Sequence, residues 1–154
     1  MSRGKVLVII GSKSDSEAIQ GCLDYLDRFG IPNELVVSSA HRAPERTRRI
    51  AEAAREKGVR VFICGAGMAA HLPGVVASLT TLPVIGVPLA GSHLSGVDSL
   101  HAIVQMPPGV PVATMAIGSA GGKNAAIFAA QILALSDEEL AARLRDFKEE
   151  LASS

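Results

Sequence analysis

His41 and Arg42 stand in the run Ser38-Ser39-Ala40-His41-Arg42-Ala43-Pro44, directly after the apolar stretch Leu35-Val36-Val37 and before a proline suited to opening a helix. An imidazole gives and accepts a proton near neutrality, and the neighbouring guanidinium is a permanent cation with a planar fork of donors. Together they suit proton transfer on a ligand that carries a phosphate or a carboxylate. Each residue also has a plainer use. His41 at a strand end can hydrogen-bond main chain, and Arg42 can pair with Glu45.

Two other loops hold similar material. Gly11-Ser12-Lys13-Ser14-Asp15 offers a glycine for close backbone approach, two hydroxyls, and a following helix whose free amides favour an anion such as phosphate. It is not a Walker loop, because the Gly-Lys-Ser/Thr ending is absent. Asp15 either binds ribose hydroxyls or caps and charges the helix start. The segment from Gly65 to Gly74, with Ala66, Gly67, Met68, Ala69, Ala70, His71, Leu72 and Pro73 between, leaves little steric bulk, so a ligand ring can lie against its main chain. His71 either touches that ligand or holds the loop in shape. His93 and His101 read as surface or helix residues. The four histidines show no ligand spacing and Cys22 and Cys64 stand apart, so no metal site is expected.

The elements that must position these residues are legible in the apolar pattern. Residues 5–10, 34–38, 60–64, 83–87 and 112–117 are continuous apolar runs without alternation, as in strands covered on both faces. Helical signals fill the intervals, so the pattern is βαβ. The fold expected is α/β, a single three-layer domain over residues 1–154 with a five-stranded parallel sheet flanked by helices, Rossmann-like or flavodoxin-like. The first helix is expected over 15–29, the second from Pro44, the third from near Ala69 and the fourth over about 96–104. The many Arg residues of the second read as a solvated face. Ala-rich residues 124–135 form a fifth helix. Ser136-Asp137-Glu138-Glu139 then has the form of a capping box, Ser136 capping and Glu139 reaching back, before a last helix. Its apolar stripe of Leu140, Leu144, Phe147 and Leu151 reads as an oligomer contact in preference to simple intramolecular packing. In an open parallel sheet, ligands bind beyond the carboxyl ends of the strands. The loops after the first four strands, the last of them running from Pro88 to Gly96, therefore meet in one pocket.

Composition narrows the partners. The 154 residues are 48% hydrophobic and 19% charged, enough for a substantial core. Fifteen basic and fifteen acidic residues cancel, so no broad cationic face exists for nucleic acid or an anionic membrane. With 3% aromatics and no Trp, the chain also lacks stacking platforms for single-stranded nucleic acid. No apolar stretch approaches the roughly 20 residues of a spanning helix, and no secretory leader is visible, which makes a cytoplasmic location the expectation. The isolated cysteines read as buried thiols.

The loops taken together, with Leu94-Ser95-Gly96-Val97-Asp98-Ser99-Leu100 and Ile103-Val104-Gln105-Met106-Pro107, resemble the bacterial class I 5-(carboxyamino)imidazole ribonucleotide mutase family, also named phosphoribosylaminoimidazole carboxylase catalytic subunits. The likeness runs over nearly the whole chain, with four motifs in order. It implies a step of purine biosynthesis that moves a carboxylate from an exocyclic nitrogen to a ring carbon of an aminoimidazole ribonucleotide. Neither ATP, metal nor organic cofactor is implied. His41 is then the catalytic residue, passing a proton in each direction while carbon dioxide stays confined. Ser12, Asp15 and Arg42 hold the ribose phosphate, and Ser39, Ala66, Gly67, His71 and Leu72 line the base and carbon dioxide pocket. The direct carboxylase branch tends to have Lys after the histidine and to lack Ala-Ala-His-Leu-Pro-Gly, so Arg42 and His71 favour the mutase. Family members form octamers through C-terminal helices. The alternatives are a direct carboxylase and a non-catalytic nucleotide-binding domain; a flavodoxin-like electron carrier fits less well, because the loops lack aromatics to sandwich a flavin.

Overall fold

Strand-forming runs separated by helices build one parallel sheet in the computed structural model, which describes residues 4–154. The strands are β1 (Lys5–Ile10), β2 (Asn33–Val37), β3 (Val59–Gly67), β4 (Val84–Leu89) and β5 (Ala113–Thr114). They pair in the order β2-β1-β3-β4-β5, every pair parallel. The helices are α1 (Ser16–Arg28), α2 (Pro44–Ala53), α3 (Leu72–Ser78), α4 (Val97–Val104), α5 (Ser119–Ala134) and α6 (Glu138–Ala152).

Alternation of side chains across the pleat divides the core into two layers. Val6, Val8 and Ile10 face one cluster with Ile19, Cys22 and Leu26 of α1, the alanines of α5, and Leu140 and Phe147 of α6. Leu7 and Ile9 face the other, with Ala51 of α2, Leu72 and Val76 of α3 and Ile103 of α4. Helices thus cover both faces of the sheet. The chain moves outward from β1 to β2 and returns past it to β3, so strand order reverses between β1 and β3. In open parallel sheets ligands bind beyond the carboxyl ends of the strands at such a reversal.

Several boundaries differ from the expected ones for identifiable reasons. β3 runs on through Gly65, Ala66 and Gly67, which pair with Val87, Pro88 and Leu89 instead of forming a loop. A Cβ on Gly65 would meet Ile10, Ile19 and Leu89 at 3.4–3.5 Å, ordinary contact distances within the packed ladder. β5 is only two residues long, although Met115 and Gly118 still donate to Gly86 and Pro88. α5 starts at Ser119, five residues before the expected start, and includes Gly121, where a Cβ would sit 1.6 Å from the Ala116 carbonyl oxygen and only glycine fits. α3 begins at Leu72, after a tight turn. A short 3-10 turn, Lys13–Asp15, precedes α1. The cap of α6 is Asp137, whose carboxylate accepts from the Leu140 amide, and not Ser136; Glu139 pairs with Arg143.

The expected oligomer stripe on α6 is largely internal. Leu140 and Phe147 are buried, and Leu144 packs on the same cluster, while Leu151 is exposed. Phe147 meets Phe29 and Tyr25 edge to face, which holds α6 onto the end of α1. Cys22 and Cys64 are both buried free thiols, as expected. Among the described residues no helix is long and apolar enough to cross a membrane.

Candidate active site

The turn that carries His41 is built from local hydrogen bonds. Ser38 follows the last residue of β2 and donates its amide to the Ile10 carbonyl at 2.9 Å, extending the ladder with β1. Ser39 then closes the turn twice, its carbonyl accepting from the Ala43 amide at 2.9 Å and its hydroxyl from the Arg42 amide at 3.1 Å. Pro44 occupies the first turn of α2, where its missing N–H leaves no intrahelical bond unmade. His41 and Arg42 project from this short, self-bonded turn and are exposed.

The β3–α3 connection brings the second histidine to the first. Met68 holds a left-handed backbone conformation at φ 54°, and the amides of Ala70 and His71 donate back two residues, to Met68 and Ala69, at 2.9 and 2.8 Å. This sharp reversal delivers His71 to the start of α3. His41 Nε2 lies 2.8 Å from His71 Nδ1, with the rings edge to face at 83° and their centroids 4.8 Å apart. A single hydrogen lies between two ring nitrogens at that separation, so each ring's tautomer depends on the other. Of the two readings left open for His71, the structure shows it against His41.

Arg42 reaches the β1 loop. Its guanidinium donates to the Gly11 carbonyl at 3.4 Å, joining the loops that follow β1 and β2, and Glu45 is not its partner. Ser12 Oγ accepts from the Ser14 amide and from the Ser14 hydroxyl, at 3.3 and 2.9 Å, which leaves its own hydrogen available to a ligand. Asp15 makes no capping hydrogen bond at the start of α1, so the capping role does not describe it. Burial pushes its carboxyl above the ordinary value, against a smaller lowering by the backbone hydrogen bond with Ser12.

Gly67 ends β3, where a Cβ would stand 3.4 Å from the Leu89 carbonyl oxygen. Ala66 and Leu72 are both buried, with side chains in the cluster beneath α2, α3 and α4. His93 and His101 are exposed residues outside the His41–His71 contact. The sequence reading does not single out Thr47, a fully buried hydroxyl on the inner face of α2. Its signal was a polar residue in register with Ile50, Ala51 and Ala54, on a face otherwise apolar.

Helices on both faces of a sheet ordered 2-1-3-4-5, with a histidine pair just beyond the strand ends, define a flavodoxin-like α/β protein. The chain belongs to the AIR carboxylase family, which it matches over residues 5–154. It is 51% identical over 144 residues to the N5-carboxyaminoimidazole ribonucleotide mutase of Escherichia coli K12, covering 94% of this chain and 85% of that one. To the N5-carboxyaminoimidazole ribonucleotide mutase of Saccharolobus solfataricus it is 54% identical over 147 residues, covering 96% and 92%. The crystal structure of Treponema denticola PurE superposes with a TM-score of 0.89 at 28% identity, covering 98% of this chain and 93% of that one.

Proposed function

We infer that this chain is an isomerase of purine biosynthesis that converts 5-(carboxyamino)imidazole ribonucleotide to 4-carboxy-5-aminoimidazole ribonucleotide. The observation that carries the reading is the His41–His71 contact at the meeting strand-end loops of a chain from this family. His41 donates a proton to the exocyclic nitrogen as its bond to the carboxylate breaks and carbon dioxide leaves. The ring carbon then attacks the confined gas, and neutral His41 removes the proton from that carbon. Atoms and protons balance within one substrate, and no electron is exchanged, so the rearrangement calls for no cofactor. Holding carbon dioxide beside the ring makes its recapture effectively unimolecular.

Ser12, Asp15 and Arg42 hold the ribose phosphate, supported by the free Ser12 hydrogen and by the way Arg42 spans to the β1 loop. Ser39, Gly67 and His71 line the base and carbon dioxide pocket, joined by the main chain of Ala66 and Leu72. Residues 1–154 act as one mutase domain in the cytoplasm. Copies of the chain assemble into a homo-octamer, a reading supported by exposed Met68, Leu94, Val97, Val104 and Leu135, which are apolar groups that a monomer leaves in water.

Purified protein given the carbamate ribonucleotide should form the carbon-carboxylated product, while aminoimidazole ribonucleotide with low bicarbonate should not. Efficient turnover of the second mixture alone would make the chain a direct carboxylase. Binding without conversion of either would leave a nucleotide-binding domain.

A further inference from the structure

Ser38 and Thr47 are buried hydroxyls, 2% and 0% exposed, set between the sheet and α2. Their oxygens lie 2.8 Å apart. Thr47 Oγ1 also lies 3.1 Å from the Ala43 carbonyl oxygen and 3.4 Å from that of Ser39. A hydroxyl has one hydrogen to give, and carbonyls only accept. The arrangement that uses both hydrogens therefore runs one way: Ser38 donates to Thr47, and Thr47 donates to the nearer carbonyl, Ala43. That short relay fastens the residue before the turn and the residue after Arg42 to a single point on α2. Residues 39–42, His41 among them, are bracketed between.

Packing alone gives no reason for this pair. Thr47 sits on the same helix face as Ala51 and Ala54, both buried in an apolar cluster. Two hydroxyls placed there gain little net stability over apolar groups of the same shape, whereas Ser38 without Thr47 is a buried unsatisfied polar group. What the pair does supply is direction, because it fixes where the turn leaves β2 and where it enters α2.

We propose that Ser38 and Thr47 are positioning residues that hold the His41 turn in its reactive geometry. The inference rests on the reading of His41 as the proton-transfer residue, and its test separates the two. Thr47→Val strands the Ser38 hydroxyl and lowers Tm, Ser38→Ala costs less because Thr47 keeps its bond to the Ala43 carbonyl, and the Ser38→Ala/Thr47→Val double variant, which strands neither, recovers most of the Thr47→Val loss. In the double variant kcat falls about tenfold, with KM changed by less than about twofold, since the substrate groups are intact and only the reacting geometry has loosened. Thr47→Ser keeps the relay and stays within about twofold of the parent in kcat. Amide exchange at Arg42 and Ala43 rises about tenfold in the double variant.

Unchanged exchange protection in the double variant overturns the proposal whatever its activity. So does a kcat that recovers together with Tm, since the hydroxyls are then structural only. If protection is lost as expected but the parent protein does not convert the carbamate ribonucleotide, the clamp on the turn stands and the assigned reaction falls.

Discussion

His41 Nε2 and His71 Nδ1 share one hydrogen across 2.8 Å, although 30 residues of chain separate them. Removing the nitrogen of His71 while keeping a ring, as in His71→Phe, frees His41 to adopt either tautomer. We expect kcat to fall by about tenfold, against a loss of about 10²–10⁴ for His41→Asn. Residues acting as a unit are not additive, so the double variant should be no slower than His41→Asn alone. Steady-state kinetics on folded variants decide it; full additivity would show that the rings act independently.

Arg42 donates to the Gly11 carbonyl and stands where a phosphate can meet both the β1 loop and its guanidinium. Lysine keeps the charge but loses the planar fork. Arg42→Lys should raise KM about tenfold, equivalent to about 1.4 kcal/mol of binding, and change kcat less. A kcat effect with KM unchanged would place the residue in the chemical step instead.

Asp15 carries a carboxyl whose folded value lies above the ordinary 3.8 because burial disfavours its charge. A raised carboxyl contributes stability that is present below the unfolded value and lost as pH rises through the folded one. The Asp15→Asn variant should therefore melt slightly higher than the parent at pH 7 without ligand, and the gain should shrink as pH falls toward about 3.8. Ligand affinity should drop at the same time, because a site residue kept at a cost to stability is kept for binding. Thermal melts at the two pH values, with and without the ribonucleotide, test both halves.

Gly121 and Gly11 should respond oppositely to alanine. A Cβ at Gly121 would lie 1.6 Å from the Ala116 carbonyl oxygen, a clash with backbone that cannot swing aside, so Gly121→Ala should cost about 3 kcal/mol. In a domain of this size that lowers Tm by roughly 10 °C. Gly11 has no heavy atom within 4 Å of the equivalent point and no positive φ, so Gly11→Ala should leave Tm within about 2 °C and affect only ligand binding.

Burial pushes the Cys22 thiol up to about 12, and the fully buried Cys64 thiol is raised as well. Thiolates are the reactive species, so both side chains should resist iodoacetamide at pH 8 in the folded protein and react once it is denatured. Intact mass measurement before and after denaturation would show the change, and rapid labelling of Cys64 in the native state would contradict its place in the core.

The amino-acid sequence by itself determined the layered α/β fold, because continuous apolar runs such as Val6 to Ile10 have only one economical burial, between two layers of helices. It also located the His41-Arg42 turn, since residue types that do chemistry stood at a strand end. Glycine was where this reading erred. Gly65 and Gly67 lie in β3, paired with β4, and Gly121 lies in α5, where a Cβ would collide with the Ala116 carbonyl of the preceding turn. Only the tertiary structure decided that His71 meets His41, that Arg42 crosses to Gly11, and that Ser38 hangs from Thr47. The first two join partners 30 and 31 residues apart, brought together by strand order and by the left-handed turn at Met68, and the third depends on how α2 folds back on the end of β2; hydrophobic periodicity along the chain carries no record of them.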